Sequence, residues 1–306
     1  MTAIRKLLLA TMAVASIATP VLAQDMDVIR IGLLGGENET DRLADNQCLL
    51  DKLPAALGVK EVKLFPAADY DGVIQGLLGG TLDIAGLGAS GYAKAYLANP
   101  AAVEPFLTTV QTDGSMGYHS VMLARKDSGI ASLADAKGKK LGYADPDSTS
   151  GYLIPLVTLP QDPALNGAKP DDYFSETSFN GGHENNVLAL LDKKVDVAVT
   201  WASGVGEFSE GYTSGNIRSM VDKGMLDMED VVEIWQSPLI PNGPNVMRSD
   251  LPQDMKDKIV KFYTELPTTD YECFKNIENG DFKGYAPVNA DFYKPIIDAR
   301  KATIGG

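Results

Sequence analysis

The chain has 306 residues, 44% of them hydrophobic, and a formal net charge of -14. Such an excess of acid argues against nucleic acid or an anionic membrane surface as partner. An anionic ligand would meet a repulsive long-range field, so its binding requires a local concentration of hydrogen-bond donors.

The N-terminal stretch "MTAIRKLLLATMAVASIATPVLAQ" has a basic start at Arg5 and Lys6, an apolar run and Val21-Leu22-Ala23. This is the pattern of a secretory signal, with cleavage expected after Ala23. The run is shorter than the roughly 20 residues that a spanning helix needs. Residues 1–23 are therefore set aside, which leaves 283 of the 306 with 25 basic and 41 acidic residues, a net charge near -16. A chain of this length suits one large domain or two lobes, and two lobes are the expectation.

"VIRIGLL" from Val28 reads as a strand, "TDRLADNQCLLDKLPAAL" as an amphipathic helix and "KEVKLFPA" as a second strand. "YDGVIQGLLGG" is a short helix with a glycine stop, "LDIAGLG" a buried strand and "GYAKAYLAN" a further helix. This βαβαβα alternation predicts a mainly parallel sheet wrapped by helices, with ligands at the carboxyl ends of its strands. "EPFLTTVQT" and "GYHSVMLARKD" then read as strands joined by the turn "DGSMG", suited to carry the chain between lobes.

A second alternation follows: "KKLGYADP" strand, "STSGYLIPLVTL" helix, "FSETSFN" strand, "HENNVLALLDKK" helix and "VDVAVTW" strand. Extended segments lie around the Pro-rich "SPLIPNGP", and helices are expected over 252–265, 269–278 and 289–301. The expected fold class is α/β, two-lobed, with residues 24–125 and 237–306 forming lobe 1 and 126–236 forming lobe 2. Two lobes joined by two extended crossings suggest a hinged binding protein.

The two cysteines, Cys48 and Cys273, would be exported to an oxidising compartment, where a disulfide and a pair of buried thiols are both open. A bridge would close most of the chain into one loop, worth roughly 4 to 5 kcal/mol on the loop-entropy account. His119 and His183 share no finger-like spacing with either cysteine, so neither a metal nor a cofactor is expected.

"DPDSTSG" (145–151) precedes an apolar helix. One hydroxyl, at Ser148 or Thr149, suffices for an N-cap. Ser148, Thr149 and Ser150, with the amides up to Gly151, offer a nest of donors at the positive end of a helix, which suits a tetrahedral oxyanion. Pro155 should kink this helix or keep it short.

The segments "ADYDGVIQGLLGGTLDIA", "TDGSMGYHSVMLARKDS", "LADAKGKKLGYADPDSTSGYLIPL", "GGHENNVLALLDKKVDVAV" and "IWQSPLIPNGP" resemble, in order and spacing, the periplasmic phosphonate-binding proteins of ABC importers. The likeness runs from about Val28 to about Arg248; beyond it the helices match only in length and placement. It implies a type II binding-protein fold, a membrane ABC permease as partner, a monomer and capture of a phosphonate by hinge closure. It further implies that Ser148, Thr149, Ser150, His183, Tyr70 and Tyr118 bind the phosphonate oxygens. A cationic His183 would strengthen its contact.

Family members that bind 2-aminoethylphosphonate place acids against the ligand ammonium, and those positions fall here on Ser203 and Gly243. Glu207, Asn242 and Trp201 are the substitutes the neighbouring sequence offers, Trp201 through a cation–π contact or as an apolar wall. 2-Aminoethylphosphonate is the expected ligand, with phosphite or methylphosphonate as the alternative. An enzyme built on Ser148, His183 and Asp145 or Glu184 is the remote reading. It has no G-x-S-x-G, H-E-x-x-H or P-loop to support it.

Overall fold

The computed structural model describes residues 26–303, so the signal segment and its cleavage site lie outside the described residues. The first alternation forms β1 (Val28–Leu33), β2 (Glu61–Pro66) and β3 (Ile84–Gly86). Both β2 and β3 pair with β1 in parallel. Ile29, Ile31 and Ile84 are buried there because helices cover both faces of the sheet. The single helix expected after β1 is two, Glu39–Asp45 and Gln47–Leu57, because the backbone breaks at Asn46.

β4 (Val103–Gln111) stays in this first sheet, whereas β5 (Gly117–Arg125) pairs in a second one. The chain therefore changes sheets in the turn 112–116, and β5 belongs with lobe 2 rather than with the lobe 1 segment that the sequence reading ended at 125. β6 (Lys140–Tyr143), β7 (Glu176–Phe179) and β8 (Val197–Ala202) form the parallel part of the second sheet. β5 lies antiparallel to β8, and β9 (Val231–Gln236) and β10 (Ile240–Pro241) pair with β5. The chain returns at Asn242–Gly243 to β11 (Pro244–Arg248), inserted antiparallel between β3 and β4. β12 (Phe282–Pro287), which the sequence reading missed, closes the first sheet beside β4.

The two crossings are tied together at Asn242. Its amide donates to Met116 O at 3.0 Å. Its carbonyl accepts from Thr108 Oγ1 and Tyr293 Oη, both at 3.1 Å. Its side-chain Nδ2 donates to Thr109 O at 2.9 Å. The C-terminal helices are Gln253–Thr269, Tyr271–Glu278 and Lys294–Thr303, and the last packs on the helix Ala89–Ala98.

Cys48, in the helix Gln47–Leu57, is bonded to Cys273, in Tyr271–Glu278, across a sequence separation of 225. Cys273 is buried among Leu49, Leu53, Ile259 and Phe274, so the bridge pins the last quarter of the chain to the first lobe. Replacing both cysteines with serine is expected to lower unfolding stability by about 4 kcal/mol through the closed loop. Chemical denaturation checks this, and unaltered stability would show that the bridge does not form.

Candidate functional site

The helix after β6 begins tightly. A wide π turn over Thr149–Leu153 leads into the α-helix Ile154–Thr158, which carries Pro155 in its first turn, where the missing amide costs nothing. Ser148 caps the start, its Oγ accepting from the Gly151 amide at 3.0 Å. The side chains of Thr149 and Ser150 are both buried, and the Ser150 amide and hydroxyl lie against the Tyr118 phenol oxygen. Amides beside buried hydroxyls at a helix start form a receptor for an oxyanion.

The opposing lobe reaches the same loop. Thr149 Oγ1 accepts from the Ser90 amide, at the start of Ala89–Ala98, at 2.8 Å. Asp145 Oδ2 accepts from the Tyr70 amide at 3.3 Å. Asp147 is held by Arg300 Nη2 and Lys94 Nζ, each at 2.7 Å. At the rim, Asn38 N donates to Glu184 Oε1 at 3.1 Å, and Gly36 meets Gly182. A Cβ on Gly36 would lie 2.3 Å from Gly182 Cα, and its φ of +93° also favours glycine.

Tyr70, Tyr118, Ser148, Thr149, Ser150, His183, Trp201 and Asn242 line one cavity between the lobes. Burial pushes the Tyr118 phenol up, and the hydroxyls of Ser150 and Thr149 beside it act the other way. Tyr70 is raised by burial too, then by Asp145 and Glu37, with Ser148 opposing. Both phenols are therefore neutral donors. Glu207 is exposed and does not line this cavity. Gly204 and Gly206, at φ of +71° and +86°, turn its loop outward, while Ser203 Oγ holds Val205 N at 3.2 Å.

His183 Nε2 lies 3.0 Å from Ser148 Oγ, and Nδ1 lies 3.5 Å from Thr200 Oγ1. Burial drives its pKa down to about 3, so the imidazole is neutral at pH 7, not cationic as the sequence reading allowed. Among the described residues no carboxylate hydrogen-bonds to it. Asp145 is engaged by the amides of Tyr70 and Asp147, and Glu184 by that of Asn38. A base that holds its proton only below about pH 3 is too weak to activate a serine near neutrality.

Two α/β sheets joined at two crossings and closed over a nest of neutral donors define a hinged, periplasmic-type solute-binding protein. The family "ABC transporter, phosphonate, periplasmic substrate-binding protein" matches residues 31–293, and the chain belongs to that family. It is 33% identical over 263 residues to the Phosphonates-binding periplasmic protein of Escherichia coli (strain K12), covering 84% of this chain and 72% of that one. It is 28% identical over 243 residues to the Phosphate-import protein PhnD of Mycolicibacterium smegmatis, covering 78% and 72%.

Among solved structures, it superposes on the binding-protein component of an ABC phosphonate transporter from Pseudomonas aeruginosa with a TM-score of 0.75 and 30% identity. That match covers 90% of this chain and 86% of the other. PhnD1 from Prochlorococcus marinus, in complex with methylphosphonate, shares the fold at a TM-score of 0.73 and 18% identity, covering 92% and 99%. Family membership makes the chain a phosphonate-binding component of an ABC transporter, a transport part working with a membrane permease. Among the described residues no helix is long and apolar enough to cross a membrane.

Two outcomes are expected from this geometry. The His183 pKa is depressed below its unfolded value near 6.5, so the unfolded chain binds more protons between about pH 3 and 6.5. The stability that neutral His183 contributes is present above that window and lost as pH falls through it. The melting-temperature gap between wild type and His183→Gln should shrink from pH 7 to pH 5; a constant gap would place the titration elsewhere. Asp147→Asn, which leaves Arg300 without its counter-charge in the closed form, should raise the Kd of every ligand by about tenfold by depopulating closure. Calorimetry reads this, and a loss confined to one ligand would argue against a role in closure.

Proposed function

We propose that this protein captures a phosphonate, 2-aminoethylphosphonate in the first place, by closing its lobes, and then docks as a monomer on its permease. It is read as a periplasmic protein, released by cleavage after Ala23, and as a binder rather than an enzyme. The observation that carries the ligand assignment is the convergence of Ser148, Thr149, Ser150, His183, Tyr70 and Tyr118 on one cavity at a helix start. All six offer neutral donors, which bind a phosphonate oxyanion without burying a fixed cation when the cleft is empty.

The proposed order of events follows from the division of donors. The anion meets the second-lobe hydroxyls and amides of Ser148–Ser150 first, and closure then adds Tyr70 from the first lobe. Closure removes water, which strengthens each of these hydrogen bonds. The weakness of His183 as a base and the absence of an orienting carboxylate favour binding over catalysis.

Methylphosphonate or phosphite remains the second reading, favoured by the edge-to-face packing of Trp201 on Tyr118, with centroids 5.5 Å apart. Such a pair closes an apolar wall that suits a methyl group. Titration calorimetry of the mature protein with 2-aminoethylphosphonate, methylphosphonate, phosphite and phosphate separates the readings. Ser148→Ala with Thr149→Ala should weaken the preferred ligand by at least about tenfold, two lost hydrogen bonds to a charged group. If none of the four ligands raises the melting temperature of the wild type, the transport reading fails.

A further inference from the structure

The family's positions for acids near the ligand amine are closed in this protein. A Cβ on Gly243 would lie 2.1 Å from Leu87 O, so no acid fits there without moving the backbone. Ser203 Oγ is taken up by Thr213 Oγ1, 3.1 Å away, and by the Val205 amide. The cavity wall nevertheless carries three carboxylates, Glu37, Asp45 and Glu278, and Asp45 is paired with Lys223 at 3.3 Å. Burial raises Glu37, but Lys223 and Arg42 offset it.

Glu278 has no such compensation. It ends the helix Tyr271–Glu278, and its Oε1 accepts from Tyr285 Oη at 2.5 Å and Asn245 Nδ2 at 3.3 Å. Its Oε2 has no donor, and the carboxylate makes no ion pair, among the described residues. Burial pushes Glu278 up to about 7, the mark of a carboxylate desolvated without a cation.

Its neighbours link it to segments that line the cavity. Asn279 O accepts from the Gly215 amide at 3.0 Å, and a Cβ on Gly215 would lie 3.1 Å from the Trp201 ring. Asn245 pairs with Gly86, and a Cβ on the nearby Gly88 would fall 2.9 Å from Thr149 Oγ1. The chain thus brings Glu278 to the cavity from the first lobe, while Ser148–Ser150 reach it from the second.

We propose that Glu278 receives the ammonium of an aminoalkylphosphonate, replacing the acids that Ser203 and Gly243 no longer supply. The inference rests on the phosphonate reading and adds to it the residue that recognises the amine. An ammonium against Oε2 gives this half-buried carboxylate a charge-assisted pair, and Trp201 in the same cavity wall supplies an aromatic ring for a cation–π contact. Neither interaction exists for methylphosphonate or phosphite, so selectivity for the amine falls on this residue.

Calorimetry with 2-aminoethylphosphonate and with methylphosphonate, on wild type, Glu278→Gln, Glu278→Asp and Glu37→Gln, tests the assignment. Glu278→Gln keeps the size and the acceptor for Tyr285 and Asn245. It should weaken the amine by at least about tenfold and leave methylphosphonate within about twofold, the pattern of one lost charge-assisted contact. Glu278→Asp, should the glutamine variant fold poorly, is expected to give intermediate selectivity. Equal losses for both ligands, or none, overturn the role of Glu278 while leaving the phosphonate reading intact. A selective loss in Glu37→Gln alone would transfer the role to Glu37 and likewise overturn the proposal. Failure of the wild type to bind either ligand would sink the phosphonate reading and this inference together.

Discussion

The loop from Asp145 to Gly151 is held from both lobes at once, and the site is complete only while it is. Asp145 and Thr149 accept amides from the first lobe, and Asp147 accepts Arg300 and Lys94. Ser148 contacts His183, and Ser150 O accepts from Ser120 Oγ at 2.6 Å within the second lobe. The segment that presents the donors is therefore the segment that fastens the lobes. Ligand binding and closure are coupled because they compete for, and share, the same seven residues. The Arg300–Asp147 pair, both side chains at most 7% exposed, is buried only in the closed form, so its net contribution is a balance of desolvation against attraction.

That arrangement answers the electrostatic problem of an anion binder with a net charge of -14. The two cations of the clasp are neutralised by Asp147 and Asp71 and do not face the ligand as free charges. What faces its oxyanion end are hydroxyls, amides, phenols and a neutral imidazole, each pre-positioned by packing. Donors of this kind gain strength when water leaves, whereas distant surface acids are screened over about 8 Å at physiological salt. A local field of dipoles outweighs a global excess of acid for a ligand that is fully enclosed.

The oxyanion end was legible in the sequence because it is local. Ser148, Thr149 and Ser150 are consecutive, and the spacing to the helix they cap is fixed by the chain. The strand and helix alternation was legible for the same reason, since periodicity reports one element at a time. What escaped depends on contacts between distant residues. The membership of β5 in the second sheet is decided by pairing with β8 and β9, not by its own composition. β12, with glycine at 284 and proline at its end, has little strand character and is formed by its ladder to β4. The Asp147–Arg300 pair spans 153 residues and left no mark in either local pattern.

Glu207 and Glu278 show the same limit at the level of one side chain. Glu207 was attractive because it lies near Ser203 in sequence, but flanking glycines send it to solvent. Glu278 lies far from every motif, yet the fold brings it into the cavity wall that Trp201 also lines. The disulfide between Cys48 and Cys273 anchors the helix that carries it, so this arm of the first lobe is a fixed wall rather than a loose tail. The two ends of the ligand are thus read by parts of the chain with different duties. The second-lobe loop must keep its residues to close at all, while the end of a C-terminal helix can change its charge without touching the clasp. Affinity for the oxyanion and selectivity for what is attached to it are, on this geometry, separable.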